Sequence, residues 1–233
     1  MKIGIIAAMD SERKQLEKLL KDKIHIDKGL FSYIEGRIGE NTAILVQCGI
    51  GKVNAAVGTV ELINQFHPDC IISTGVAGGI DAGLELMDVV AADKTVYHDV
   101  WCGEGNDYGQ IQGLPAYLPV NSTLYQCALS LPKENHVKGG LICSGDKFIS
   151  ERKELDDIKR HFPEGLAVDM ESGAIAQVCY LYKVPFISFR IISDTPNKES
   201  KARFQEYLDF WGEMANRSFK VTEKFLEALP ETL

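Results

Sequence analysis

Two short stretches, LAVDMES at 166–172 and ISFRIISDTP at 187–196, each set an acidic residue just past an apolar run of strand length. The acids are Glu171 and Asp194, and each run ends in a short polar turn. A third acid, Glu12, follows the first apolar run, KIGIIAAM, in the same way. In a parallel α/β sheet, ligands sit beyond the carboxyl ends of the strands. Three carboxylates at three strand ends can therefore converge on one crevice. That set suits acid/base chemistry on a neutral substrate, with little help from a metal or from phosphate-binding groups.

The elements that must position these acids are legible as strand-length apolar runs alternating with segments of helical period. Residues 2–8 read as a buried strand, with Asp10 or Ser11 as the cap of the helix that follows. FSYIEGRIG and NTAILVQCG read as a hairpin turning at Gly39-Glu40-Asn41. KVNAAVGTVELINQF reads as a helix stopped by His67-Pro68. CIISTG, DVVAADKTVYH and GGLICSG are further strands, and ERKELDDIKRHF is an amphipathic helix ended by Pro163. LAVDM is a strand, ESGAIAQVCYLYK a helix of small residues, and PFISFRIIS another strand. From Phe204 onward, apolar positions in steps of three and four predict one long C-terminal helix. With no linker, repeat or low-complexity tract, residues 1–233 are expected to form a single three-layer α/β domain, a mixed central β-sheet flanked by helices.

Bulk composition narrows the function. The 233 residues are 45% hydrophobic, enough for a substantial core. A formal charge of −8, with no basic stripe, disfavours nucleic acid and anionic membranes as partners. No apolar run approaches the ~20 residues of a membrane helix. The N-terminus begins directly on a strand-like run, without the pattern of a signal peptide. Six cysteines form no C-x-x-C pair, and the histidines show no metal-ligand spacing. A cytoplasmic protein without disulfides, metal or cofactor is expected. AAMDSE at the first strand–helix junction lacks the glycines of a dinucleotide fingerprint. GIGKVN at 49–54 has the Gly-Lys of a P-loop, but Val46 stands where its first Gly belongs and Val53 where its Ser/Thr belongs. The glycine-rich STGVAGG at 73–79 reads as a turn that lets backbone approach a ligand.

STGVAGG, SGDKFIS, AVDMES and RIISD, with KIGIIAAMDSE at the N-terminus, stand in the order and spacing of the bacterial 5′-methylthioadenosine/S-adenosylhomocysteine nucleosidases. The chain resembles that family, a branch of the nucleoside phosphorylase superfamily, over essentially its whole length. The resemblance implies hydrolysis of the N-glycosidic bond of both thioethers to adenine and the thio-sugar. It implies Asp194 as the acid that protonates adenine N7, and Glu12 as the base that activates water. Glu171 would bind ribose hydroxyls, with Met170 beneath the sugar and Arg190 supporting the site. Phe148 would stack on the purine, the Ile149 backbone would read its edge, and Ser193 would orient Asp194. Val76 and Phe204 complete the expected substrate-binding set. Two departures stand out: Val76 replaces a Ser found in many relatives, and 100–119 differs from the shorter segment expected there. In relatives that region closes the 5′ pocket across a dimer interface. A homodimer is expected here too, with Trp101, Leu114 and Tyr117 as its apolar contacts.

The chemistry demands separated pKa values. A solvated Asp, with a pKa of about 3.9, is a poor donor at pH 7. Burial, with Glu12 and Glu171 nearby, is expected to raise Asp194, while Glu12 stays ionised. Ordinary explanations stand beside each role. Glu12 and Glu171 suit the first turn of a helix, and Asp194 before Thr-Pro suits a turn. Met170 and Phe148 suit a core. Arg190 inside an apolar strand is harder to explain without an anionic partner. Other readings of the same residues are a nucleosidase for an aminofutalosine-like compound, a purine nucleoside phosphorylase, and a non-catalytic nucleoside-binding protein. A phosphorylase needs a cationic phosphate site, and neither IIAAM nor STGVAGG contains Lys or Arg.

Overall fold

Alternation along the first strand sets up two cores. In β1 (Lys2–Ala7), Ile3, Ile5 and Ala7 join one apolar cluster, and Ile6 joins another. Successive residues of a strand face opposite sides of its sheet, so both faces must be covered. The computed structural model describes residues 1–196 and 200–233. After β1 come α1 (Asp10–Leu19), β2 (Lys21–Lys28), β3 (Phe31–Ile38), β4 (Asn41–Gln47), α2 (Lys52–Phe66) and β5 (Cys70–Gly79). Then follow β6 (Val89–Tyr97), β7 (Leu118–Pro119), α3 (Ser122–Leu129), β8 (Val137–Ser144), α4 (Arg152–His161) and β9 (Gly165–Asp169). The chain ends with α5 (Ser172–Tyr182), β10 (Phe186–Asp194), α6 (Ser200–Asp209) and α7 (Ala215–Glu227). Leu16 of α1, Leu124 of α3 and Phe219 and Phe225 of α7 cover one face. Leu62 of α2 and Ile175 and Cys179 of α5 cover the other.

The mixed sheet is as expected. β1 runs parallel to β4 and β5, whereas β3 is antiparallel to β2 and β4. The order is β10-β6-β8-β9-β5-β1-β4-β3-β2, and β10 also pairs with β5. That extra pairing closes β5, β10, β6, β8 and β9 into a ring. The ring brings the ends of β9 and β10 beside β5, which is how residues 25 apart in sequence share a site.

Several local expectations are corrected. Neither Asp10 nor Ser11 caps α1; Met9 stands at the cap, and Glu12 reaches back to its N–H. STGVAGG is not a turn but the body of β5. Its Gly75, at φ 151°, leaves room for a neighbour: a Cβ there would overlap the Glu12 carboxylate. The exposed edge strand β2 and the helix α3 were not foreseen. The C-terminal helix is two helices, separated by a π-helical turn at Phe210–Met214. In 100–119, only Trp101 is strongly exposed among the three expected interface residues. Leu114 is half-buried, and Tyr117 turns to its own chain, bonding Glu164 and lying under the Lys94 ammonium.

Candidate active site

Asp194 owes its direction to a break in strand register. β10 pairs evenly with β5 until Ile192, then slips before Asp194, leaving Ser193 as the extra residue. A bulge re-aims side chains, and here Ser193 and Asp194 both face one cavity. Glu12, Val76, Phe148, Ile149, Met170 and Glu171 also line it. Eight of the ten expected site residues thus meet there. Arg190 stands behind the wall, almost fully buried, and supports it. Phe204 lies outside, half-exposed, with its ring centroid 6.5 Å from that of Phe148.

Glu12 is held by main chain. Its Oε2 accepts the N–H groups of Ala8 at 2.9 Å and Met9 at 3.0 Å, and its Oε1 accepts that of Val76 at 2.9 Å. Val76 therefore makes a polar contact through its backbone, although its side chain offers none. Burial pushes the Glu12 carboxyl up, against the opposing pull of Arg190 and the three N–H donors. A base raised toward the working pH gains basicity while staying usable.

Glu171 is the cap residue of α5, and its Oε1 accepts the Gly51 N–H at 3.0 Å. Gly51 can present that N–H because its φ is 94°, a conformation glycine adopts without strain. The turn is pinned from outside. Asp146 accepts the Lys52 N–H at 2.7 Å, and Lys52 Nζ pairs with Asp99 at 2.9 Å. Burial pushes Glu171 up to about 7; Arg190 opposes this, while Asp169 and Glu12 add to it.

The anionic partner that Arg190 requires is chiefly Asp169, at 2.9 Å, with Glu171 at 3.8 Å. Arg190 also donates to Ser73 at 2.8 Å, and Ser172 bonds Asp169. Asp169 was overlooked although it lies two residues before Glu171 in the same motif. A buried cation beside two candidate acids was the signal for it.

Asp194 carries an unforeseen partner. Its Oδ1 accepts the Ser193 hydroxyl at 3.1 Å, while its Oδ2 meets Arg203 Nη2 at 2.5 Å. Burial raises the Asp194 carboxyl; Arg203 and Ser193 oppose it, and Glu206 adds to it. A negative neighbour that the sequence does not point to is Glu206 of α6. Tyr207 is a second omission: it lines the cavity, its ring 5.8 Å from Phe148 and nearly perpendicular to it. An aromatic in an amphipathic helix carries no sequence signal that separates it from core. Two aromatic rings on an apolar wall and three buried carboxylates can hold a flat heterocycle and move protons around it.

The model of the phosphorylase superfamily matches residues 2–227. The 5′-methylthioadenosine/S-adenosylhomocysteine nucleosidase of Staphylococcus carnosus is 39% identical over 230 residues, covering 97% of this chain and 100% of its own. The S-adenosylhomocysteine nucleosidase of Streptococcus pyogenes, solved in complex with 5-methylthiotubericidin, superposes with a TM-score of 0.91 at 38% identity, covering 99% of this chain and 98% of its own. The Streptococcus pneumoniae enzyme, solved with the transition-state inhibitor MT-ImmA, gives 0.92 at 37% identity, covering 99% and 100%. The chain belongs to the 5′-methylthioadenosine/S-adenosylhomocysteine nucleosidases of the phosphorylase superfamily.

Proposed function

We propose that this chain hydrolyses the N-glycosidic bond of 5′-methylthioadenosine and S-adenosylhomocysteine, releasing adenine and the thio-ribose. The observation that carries the residue roles is the meeting of Glu12, Glu171 and Asp194 on one cavity. Asp194 gives a proton to adenine N7 as the C1′–N9 bond breaks, and the bonding pair stays with N9. The base leaves as neutral adenine. Glu12 holds water and takes its proton as the oxygen bonds to C1′. Glu171 grips the ribose hydroxyls, and its charge faces the oxocarbenium as it develops; a dry pocket strengthens that attraction. Met170 underlies the sugar, and Phe148 and Tyr207 enclose the purine beside Ile149. No cofactor enters the scheme.

Water rather than phosphate fits the charges. Arg190 is engaged by Asp169, and Arg13 pairs with Asp10 and Glu17 on the outer side of α1. Lys147 lines the cavity on the Phe148 side, held by Glu154 at 2.5 Å. Incubating the protein with each thioether, with and without phosphate, and measuring free adenine tests the reading. Equal release under both conditions is expected; release that requires phosphate and yields a ribose-1-phosphate ester overturns it.

The same reading makes the protein a cytoplasmic homodimer. Ile50, Val53, Val57 and Trp101 are exposed apolar groups, and Ile50 also lines the cavity; such patches mark interfaces. Reducing conditions suit six unpaired thiols. No helix among the described residues is long and apolar enough to cross a membrane. Sedimentation is expected to give a dimer at micromolar concentration; a fully active monomer would count against it.

A further inference from the structure

Arg203 is a cation where the proposed acid chemistry asks for none. It is 2% exposed, stands on α6, and puts Nη2 on Asp194 Oδ2. Its Nε and Nη1 have no hydrogen-bond partner among the described residues, a costly arrangement unless the remaining contact matters. The surroundings are built to admit it. Gly78 faces the pair, and a Cβ there would come within 3.3 Å of both Arg203 Nη2 and Asp194 Oδ2. Three residues on, Glu206 accepts the N–H and hydroxyl of Thr195 at 3.1 and 3.2 Å. One face of α6 thus grips Asp194 and the residue after it.

We propose that Arg203 is a positioning residue for the hydrolysis: it holds the Asp194 carboxylate ionised and oriented in the empty site, so that the proton given to N7 arrives with the purine rather than being stored beforehand. This rests on the reading of Asp194 as the acid. Arg203 occupies Oδ2, which leaves Oδ1 as the oxygen that faces the purine. The Ser193 hydroxyl lies between Oδ1 and the Ala77 carbonyl, at 3.1 and 3.3 Å. It can turn to the carbonyl when Oδ1 takes a proton. The charged and titratable groups around Asp194 are Arg203, Glu206 and Tyr207 from α6. Across the cavity stand Glu12, Asp169, Glu171 and Lys147. Glu171 is itself pushed up to about 7, so the test reads differences between variants.

Arg203→Ser, Arg203→Gln and Arg203→Lys are compared with the parent for the pH dependence of kcat/KM. Adenine binding is measured by calorimetry in two buffers of different ionisation heat, which counts protons taken up. Loss of the cation lets Asp194 hold its proton to higher pH. The alkaline limb of kcat/KM should therefore move up by about one pH unit or more in the Ser variant. The parent should take up a proton on binding adenine, and the Ser variant markedly less. Arg203→Lys should stay close to the parent in both. If Arg203→Ser does not fold, Arg203→Gln, which keeps a donor without the charge, carries the same expectation. An unmoved limb with unchanged proton uptake overturns the proposal, as does a Lys variant displaced as far as Ser. Asp194→Asn separates this from failure of the wider reading. Near-normal turnover in Asp194→Asn removes the acid role itself; an inactive Asp194→Asn beside an unmoved Arg203→Ser limb sinks only the role of Arg203.

Discussion

The two ends of the cavity are built by different means. At the end proposed for the sugar, Glu12 and Glu171 are held by main-chain N–H groups, four in all, from just past β1, from within β5 and from the turn before α2. At the end proposed for the purine, Asp194 is held by the side chains of Ser193 and Arg203, and the walls are rings from a loop and from α6. Main-chain donors cannot rotate away as a side chain can, so the former end is preorganised in the sense that favours charge stabilisation. Side chains can turn about their own bonds, so the other end can change its contacts as a ligand arrives. Under the proposed mechanism, the contrast puts rigidity where positive charge would develop and adaptability where a proton would be delivered.

The largest effect should come from the most rigid group. Glu12→Gln keeps an acceptor for Val76 or for Ala8 and Met9 but cannot take the water's proton. Turnover should fall by about 100- to 10,000-fold, the usual value of a general base. Affinity for adenine should barely change, because the loss belongs to the transition state. Equal loss of adenine affinity would mean that the rigid end has collapsed.

Glu171→Gln should cost roughly 10- to 150-fold in nucleoside affinity and turnover together, the range of one hydrogen bond to a charged group. Free adenine, lacking ribose, should bind as before. The variant also has a stability signature. The ordinary glutamate value is 4.5, and in the fold Glu171 is pushed up to about 7 by burial. Between those values the folded chain holds more protons than the unfolded one, so stability falls as pH rises. The contribution is full below about 4.5 and lost as pH passes about 7. Denaturation midpoints across that window should decline less in Glu171→Gln than in the parent; parallel declines would contradict the assignment.

The smallest effect sharpens how the main chain itself is held. Asp146→Ala frees the Lys52 N–H and loosens the turn that carries Gly51. KM for the nucleoside should rise about three- to ten-fold, less than the value of one hydrogen bond to a charged group because the effect reaches the ligand only through the turn, with kcat little changed. A fall in kcat alone would show that the turn acts on the reaction rather than on ribose.

Legibility in the sequence followed the same division. The three carboxylates were readable because each directly follows an apolar run, and strand ends make sites. α2 was readable to the residue because Gly51 and His67-Pro68 punctuate it. β2 was not: KDKIHIDK is an exposed edge strand, and only Ile24 and Ile26 hint at alternation. Arg203 left no signal, since an Arg in a polar helix ordinarily reads as a solvated face. Its burial depends on how α6 docks against β10, which no local pattern encodes. Asp169 was readable in principle, but Glu171 stood closer to the expected role and absorbed the need for an anion beside Arg190.

The π-helical turn between α6 and α7 has a mechanical consequence. Ala215 donates its N–H to Phe210, five residues back, so the turn holds one residue more than an α-helix would. That residue rotates everything after it by about 100°. Before the joint, Tyr207 lines the cavity while Arg203 and Glu206 reach Asp194 and Thr195; after it, Phe219 and Phe225 face the sheet, with Phe225 stacked 4.5 Å from Phe189. The joint insulates one half from the other: α6 can be re-sculpted toward a different heterocycle while α7 keeps its grip on the sheet unchanged.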